Sequence, residues 1–135
     1  MSADKDYLSL PLAELLADLG SKSPTPGGGS IAALVGSLGC SLACMVLEFT
    51  IGKPKYAEHD AQLRELLDDL RQAAEKFMGL MKEDMRAYQE VLAARKAEPQ
   101  VREQAAARAI AVPMDIVMLA ESVVACVDEL KAFVN

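Results

Sequence analysis

The most constraining feature of the sequence is an almost uncharged run that follows a proline-flanked triple glycine. Residues 23–51 contain one charged side chain, Glu48, and are rich in Gly, Ala, Ser and Cys rather than in large side chains. Small residues let neighbouring backbones approach each other closely. We therefore predict a helix that begins at Gly28 or Ser30, ends at Ile51 and lies at the centre of a bundle.

The composition indicates an all-α fold. Hydrophobic residues make up 52% of the chain but aromatic residues only 4%, and there is no Trp, so the core is aliphatic. Such a composition favours helices over sheets, and no alternating strand pattern or internal repeat is present. At 135 residues the chain is long enough for one domain, residues 1–135.

A second, very long helix is predicted over residues 57–96, which contain no proline and one glycine. Its apolar positions alternate by three and four residues, as in a helical packing seam. The positions are Leu63, Leu66, Leu70, Ala73, Phe77 and Leu80. The next position of this stripe is Asp84, where the pattern calls for an apolar side chain.

Asp84 is therefore a candidate acid–base group. A buried carboxyl must either acquire partners or keep its proton, and a carboxyl held in such a place suits proton transfer. The alternative is that the stripe rotates after Phe77, which leaves Asp84 at the edge of the seam in a salt bridge with Lys82 or Arg86. The sequence pattern alone favours this structural interpretation.

The glycine loop is a candidate anion site. Its residues, Pro26, Gly27, Gly28, Gly29 and Ser30, stand at a predicted helix start, where free backbone N–H groups and the helix dipole favour a phosphate or carboxylate. The lysine of a nucleotide-binding P-loop is missing. Tight packing of the loop against another helix explains the glycines equally well.

A basic turn and the cysteines complete the candidates. The turn that contains Lys53, Lys55 and Tyr56 could bind an anionic ligand. A solvated turn that only ends the helix is an equal alternative. Cys40 and Cys44 are one helical turn apart, and one helix face cannot surround a tetrahedral metal ion, so we predict no metal site.

The final third contains two prolines. Pro99 precedes an alanine-rich helix predicted over residues 101–112, and Pro113 either starts or kinks a last helix over residues 114–133.

Charge and the N-terminus exclude several classes of function. The net charge of −6 disfavours nucleic acid and anionic membranes as partners. No basic, apolar signal segment begins the chain, so we expect a cytoplasmic protein with free thiols. Residues 31–47 reach the lower length limit of a membrane span, but Glu48 follows at once and no aromatic belt flanks them. We predict a buried helix and no membrane partner.

Four segments in order resemble the cyclodeaminase/cyclohydrolase family, which includes the C-terminal module of formiminotransferase-cyclodeaminase and stand-alone methenyltetrahydrofolate cyclohydrolases. The segments are PTPGGGSIAAL, TIGKPKY, MKEDMRAY and the AVP before the last helix. The resemblance implies an all-helical fold, a homodimer or larger homo-oligomer, and a folate site between helices near subunit contacts.

The resemblance also assigns roles. Asp84 would be the proton acceptor and donor, and the loop from Pro26 to Ser30 and the turn with Lys53, Lys55 and Tyr56 would line the substrate pocket. The substrate would be a tetrahydrofolate derivative, with no further cofactor and no metal.

One departure keeps two hypotheses open. Family members continue for about another third of their length beyond the position of Asn135, so part of the pocket and of the subunit contact is expected to be absent. The first hypothesis is a folate one-carbon enzyme, either a formiminotetrahydrofolate cyclodeaminase or a methenyltetrahydrofolate cyclohydrolase. The second is a non-catalytic helical dimerisation or ligand-binding module derived from that family.

Overall fold

The computed structural model describes residues 5–133, and this part of the chain contains four α-helices, two short 3-10 helices and no strand. The helices are α1 (Leu12–Leu19), α2 (Gly28–Thr50), α3 (Asp60–Ala93) and α4 (Pro99–Leu130). The 3-10 helices, Pro54–His59 and Ala94–Lys96, flank α3 and account for the ends of the predicted long helix. The predicted all-α bundle with a small-residue helix and one very long helix is confirmed.

Helix α2 packs antiparallel against α3 through its small side chains. Its buried positions recur every three or four residues: Ser30, Ala33, Ser37, Cys40, Ala43, Leu47 and Thr50. A Cβ atom at Gly36 would lie 2.7 Å from the Phe77 ring, so the ring occupies the space that any larger residue would need. The small residues of α2 therefore allow the two helix axes to come close, as the sequence predicts.

The buried stripe of α3 shifts to different helix positions after Phe77. Leu63, Phe77 and the positions between them in the predicted stripe are buried, but further along the helix Met81 and Met85 take over. Leu80 and Asp84 are only half-buried. This drift is expected because the α-helix repeats every 3.6 residues and not every 3.5. The structural interpretation of Asp84 is thus right about its place at the edge of the seam.

Helix α4 is one helix rather than two, and Pro113 lies inside it. A proline in a helix interior costs about 3 kcal/mol relative to alanine, because it lacks the N–H that would bind the carbonyl four residues earlier and its ring crowds that carbonyl. The apolar neighbours Val112 and Ile116 are buried in the core beside Phe77, which offsets this cost. The alternative of a separate helix that starts at Pro113 is wrong.

Large apolar side chains remain exposed on several helices, and the largest sets are on α2 and α4. On α2 they lie on the face opposite α3, and on α4 they occupy much of the outer surface: Val35, Leu38, Leu42, Met45 and Phe49, then Ile110, Met114, Val117, Met118 and Val124. Both helices are long and apolar enough to cross a membrane by length and composition alone. The prediction of a buried helix is therefore right only for the face of α2 that packs against α3, because the opposite face is exposed. Core helices of soluble proteins also meet the membrane criterion, so this observation is weak evidence for a membrane.

Candidate functional site

Asp84 meets the start of α2 through a direct side-chain hydrogen bond. The hydroxyl of Ser30, which is completely buried, donates to Oδ2 of Asp84 over 2.7 Å. No salt bridge of Asp84 is present within residues 5–133, and Lys82 instead pairs with Asp6 at 3.0 Å. The predicted pairing of Asp84 with Lys82 or Arg86 is therefore wrong, and a residue 54 positions away in the sequence provides the partner.

Gly29 makes room for the carboxylate. A Cβ atom at this position would lie 2.3 Å from Oδ1 of Asp84 and 2.7 Å from its Cγ, which is far inside van der Waals contact. Only glycine admits the carboxylate at this distance from the helix backbone. The sequence is consistent with the glycine loop as either a ligand site or a place of tight helix packing. Both interpretations apply to Gly29, because the group that packs tightly against it is the candidate acid–base group.

The first turn of α2 presents unpaired N–H groups beside the same carboxylate. Gly27 caps the helix in an extended conformation without a side-chain hydrogen bond, and the first backbone bond within the turn runs from the Ile31 N–H to the Gly27 carbonyl. The N–H groups of Gly28 and Gly29 precede this bond and so remain available at the positive end of the helix, whereas Ser30 is completely buried. An anionic group would be stabilised at this position.

A cavity of ≈ 330 Å³ opens between the glycine loop, α3 and α4. Its walls are formed by Pro24, Thr25, Gly27, Gly28, Gly29, Asp84, Tyr88 and Ala109. The volume is at the lower end of the range for small-molecule sites. The cavity thus joins the candidate carboxylate to three of the predicted glycine-loop residues, while the buried Ser30 holds the carboxylate from behind.

Four wall residues were not predicted as site residues: Pro24 and Thr25, which directly precede the predicted glycine loop, and Tyr88 and Ala109. Tyr88 lies one helical turn after Asp84 and is 43% exposed, so its i, i+4 spacing from the carboxylate was the available signal. Ala109 comes from α4, and its approach depends on how α4 packs across α3. No local sequence pattern carries that information.

The basic turn lies at the other end of α2. Lys53 and Lys55 are exposed, the Lys55 ammonium lies 5.2 Å from the centre of the Tyr56 ring, and Tyr56 packs partly against the leucines near the start of α3. Helix α2 has 23 residues, which at about 1.5 Å per residue separates its ends by about 34 Å. One chain therefore does not bring the basic turn and the glycine loop to the same cavity.

The cysteines show no sign of reactivity. Burial raises the pKa of the Cys40 and Cys44 thiols, on α2, and of the Cys126 thiol on α4. A raised pKa reduces the thiolate fraction that nucleophilic or metal-binding chemistry requires. No group of three potential metal-binding side chains occurs among the described residues.

Comparison with known proteins identifies the family of this arrangement. The family model described as formiminotransferase-cyclodeaminase matches residues 11–135, which is almost the whole chain. The chain belongs to the formiminotransferase-cyclodeaminase family. The resemblance predicted from the sequence motifs is confirmed.

Relatives within the family carry two names. The chain is 38% identical over 94 residues to a methenyltetrahydrofolate cyclohydrolase of Methylorubrum extorquens, an alignment that covers 70% of this chain. It is 35% identical over 104 residues to the formimidoyltransferase-cyclodeaminase of Gallus gallus, covering 75% of this chain. The crystal structure of a formiminotetrahydrofolate cyclodeaminase from Thermotoga maritima superposes with a TM-score of 0.90 at 30% identity, over 95% of this chain.

These relatives are longer than the aligned part. The chain spans 65% of the solved Thermotoga maritima chain, 45% of the Methylorubrum extorquens protein and 19% of the Gallus gallus protein. The similarity therefore establishes the family and the fold of the helical module.

Proposed function

We propose that the chain acts on a tetrahydrofolate derivative and closes or opens the one-carbon bridge between N5 and N10, with Asp84 as the acid–base group. The observation that carries this proposal is the position of the Asp84 carboxylate. It forms part of a cavity wall, lies against Gly29 and is fixed by the Ser30 hydroxyl. The names of the relatives, which all refer to folate one-carbon chemistry, support the choice of substrate.

The two oxygens of Asp84 have different surroundings. Oδ2 accepts the Ser30 hydrogen bond, which fixes the orientation of the carboxylate. Oδ1 has no side-chain partner within residues 5–133 and is the Asp84 atom nearest to the point where a Cβ atom of residue 29 would stand. A carboxylate with one anchored and one free oxygen is suited to accept and return a proton without losing its position. We assign the proton transfer to Oδ1.

In the cyclodeaminase reaction, the formimino group of 5-formiminotetrahydrofolate enters protonated, and N10 attacks its carbon to form a tetrahedral carbon bonded to N5, N10 and the amino nitrogen. Asp84 accepts the proton released from N10 and returns it to the amino nitrogen. The carbon–nitrogen bond to that group then breaks, ammonia leaves, and the 5,10-methenyl bridge remains. The proton balance requires one base that becomes an acid in the same cycle, which one carboxyl group satisfies.

In the cyclohydrolase reaction, water adds to the methenyl carbon while Asp84 accepts a proton from it. The carbon–N5 bond then breaks as Asp84 returns its proton to N5 and the hydroxyl group of the adduct releases its proton to solvent, which leaves 10-formyltetrahydrofolate. Both reactions pass through a tetrahedral carbon between N5 and N10, so the same carboxylate serves either one. The choice between the two reactions is a property of the substrate pocket rather than of Asp84.

The experiment that tests the function is an absorbance assay of the purified chain with both substrates. Formation of the methenyl chromophore from 5-formiminotetrahydrofolate, with release of ammonia, would identify the cyclodeaminase, and loss of the chromophore from the methenyl compound would identify the cyclohydrolase. A rate no higher than that of the buffer with both compounds would contradict the enzymatic proposal. Saturable binding of tetrahydrofolate without turnover would instead support the ligand-binding module of the second hypothesis.

We further propose that two copies of the chain associate through the exposed face of α2. The exposed residues at positions 35, 38, 42, 45 and 49 form a continuous stripe centred near Leu42. A two-fold axis that passes through the middle of this stripe and is perpendicular to α2 would place the two α2 helices antiparallel. The Lys53–Tyr56 turn of one copy would then approach the glycine loop of the other copy, where Lys53 and Lys55 could meet an anionic part of the folate.

Mixed dimers test this shared site. Asp84→Asn and Lys55→Glu chains are each expected to be weakly active or inactive alone. When equal amounts of the two are unfolded and refolded together, half of the dimers contain one chain of each kind, and each such dimer has one intact site of two. The mixture should therefore recover about a quarter of the wild-type rate. If both residues acted within one chain, the mixture would show no recovery. A monomer in sedimentation analysis would also contradict the shared site.

A further inference from the structure

Pro113 leaves one backbone carbonyl of α4 without its helical donor, and this carbonyl belongs to a wall residue of the cavity. In an α-helix the N–H of residue 113 would bind the carbonyl of residue 109, but proline has no N–H. Ala109 lines the cavity together with Asp84 and Tyr88. The interruption in the helix therefore coincides with the site, although Pro113 itself lies one turn further on.

The packing around Pro113 does not require a proline. The core contacts of this part of α4 are made by Val112 and Ile116, which are buried, whereas Pro113 is only half-buried. An alanine at position 113 would keep both contacts and restore the hydrogen bond to Ala109. Pro113 is thus unfavourable for the helix, and its direct effect is to leave the carbonyl of Ala109, a residue of the cavity wall, without a helical donor.

A carbonyl that has lost its helical donor has to bind water or another donor, because backbone acceptors are rarely left unpaired. The first turn of α2 presents N–H donors, and Asp84 presents the acid–base group. The Ala109 carbonyl on α4 would add a hydrogen-bond acceptor to these groups. The cavity could then bind a ligand ring that carries both hydrogen-bond donors and acceptors.

We propose that the Ala109 carbonyl, released by Pro113, accepts a hydrogen bond from an N–H group of the ligand bound against Asp84. The ligand class is a nitrogen heterocycle with ring or amino N–H donors, which the reduced pterin of a folate provides, so the inference depends on the proposed function. Ala109 is a positioning residue in this scheme, and it acts through its backbone alone. Pro113 therefore tunes ligand affinity, while the proton transfer at Asp84 is independent of it.

The Pro113→Ala variant tests the inference, because stability and affinity should change in opposite directions. The restored N–H occupies the Ala109 carbonyl, so the Kd for tetrahydrofolate measured by calorimetry, and KM, should rise about fivefold or more, as expected for the loss of one hydrogen bond. The value of kcat should stay within about twofold, and Tm should be unchanged or higher. Pro99→Ala is the matched control, because Pro99 stands at the helix start, and it should leave Kd unchanged.

A backbone ester separates the acceptor from the shape of the helix. Replacing Ile110 by its α-hydroxy acid keeps Pro113 but makes the Ala109 carbonyl part of an ester, which is a weaker acceptor. Kd should again rise, whereas the same replacement at Val117, two turns further along α4, should not change it. Wild-type Kd in either Pro113→Ala or the position-110 ester would overturn the inference and leave the proposed function intact. A wild-type chain that does not bind tetrahydrofolate would overturn both.

Discussion

Replacing Asp84 by Asn is expected to reduce turnover by about 10²–10⁴-fold, the usual contribution of a general acid–base group, with the helical content unchanged. The amide oxygen of Asn can still accept the hydrogen bond that Ser30 donates to Oδ2, so the geometry at the start of α2 should persist. What is lost is the ability to take up and return a proton. Turnover is followed through the methenyl chromophore, and helical content through circular dichroism.

Two variants serve as controls for Asp84→Asn. Glu83→Gln removes the neighbouring carboxylate, which is exposed on α3 and outside the cavity wall, and should leave the rate unchanged. Ser30→Ala removes the anchor of Asp84 but not its proton-transfer group, so it should reduce the rate less than Asp84→Asn does. Full activity of Asp84→Asn would refute the catalytic role.

Replacing Gly29 by Ala should disable the site and destabilise the fold together. The new Cβ atom would lie 2.3 Å from Oδ1 of Asp84, so either the carboxylate or the start of α2 has to move. Overpacking of this kind costs about 1–3 kcal/mol, and a displacement of about 1 Å at a reacting group lowers the rate about 100-fold. The free energy of unfolding in denaturant and the turnover rate are the two measurements.

The double variant isolates the cause of that loss. Gly29→Ala combined with Asp84→Ala removes the atoms that collide, so the combination should be more stable than Gly29→Ala alone, although it remains inactive. Gly79→Ala is the matched control, since a Cβ atom at this exposed position of α3 meets no atom within 4 Å. It should stabilise α3 by up to about 1 kcal/mol. A Gly29→Ala chain with wild-type stability and rate would contradict the geometry described for the site.

Helical periodicity brings two local features of the site to notice in the sequence, although the buried stripe itself shifts after Phe77. Asp84 stands out as a charged residue in an apolar stripe, and the glycine loop stands out as a helix start. The Ser30 partner of Asp84 could not be predicted from this pattern, because it depends on how α2 and α3 pair over 54 intervening positions. The family resemblance points to both segments, but it contains no information on which atoms meet.

The basic turn illustrates a different limit. The prediction that Lys53, Lys55 and Tyr56 line the pocket together with the glycine loop stays a prediction, and its geometry requires a second copy of the chain. The predicted length of α2 already implied a separation of about 34 Å between its ends, since an α-helix rises about 1.5 Å per residue. The continuity of α4 through Pro113 was less accessible, because the buried neighbours that offset the cost of the proline become evident only in the folded chain.

The contact between Gly36 and Phe77 has a consequence for the site at a distance. Gly36 is seven residues after Gly29 on α2, and Phe77 is seven residues before Asp84 on the antiparallel α3, so both close approaches belong to one helix register. A slip of one turn would shift Asp84 about 5.4 Å along α2 and separate it from Gly29 and Ser30. Phe77, two turns from the cavity, thus fixes the register of α2 against α3 and with it the position of the Asp84 carboxylate. The alignment of the site is determined by packing inside the apolar core.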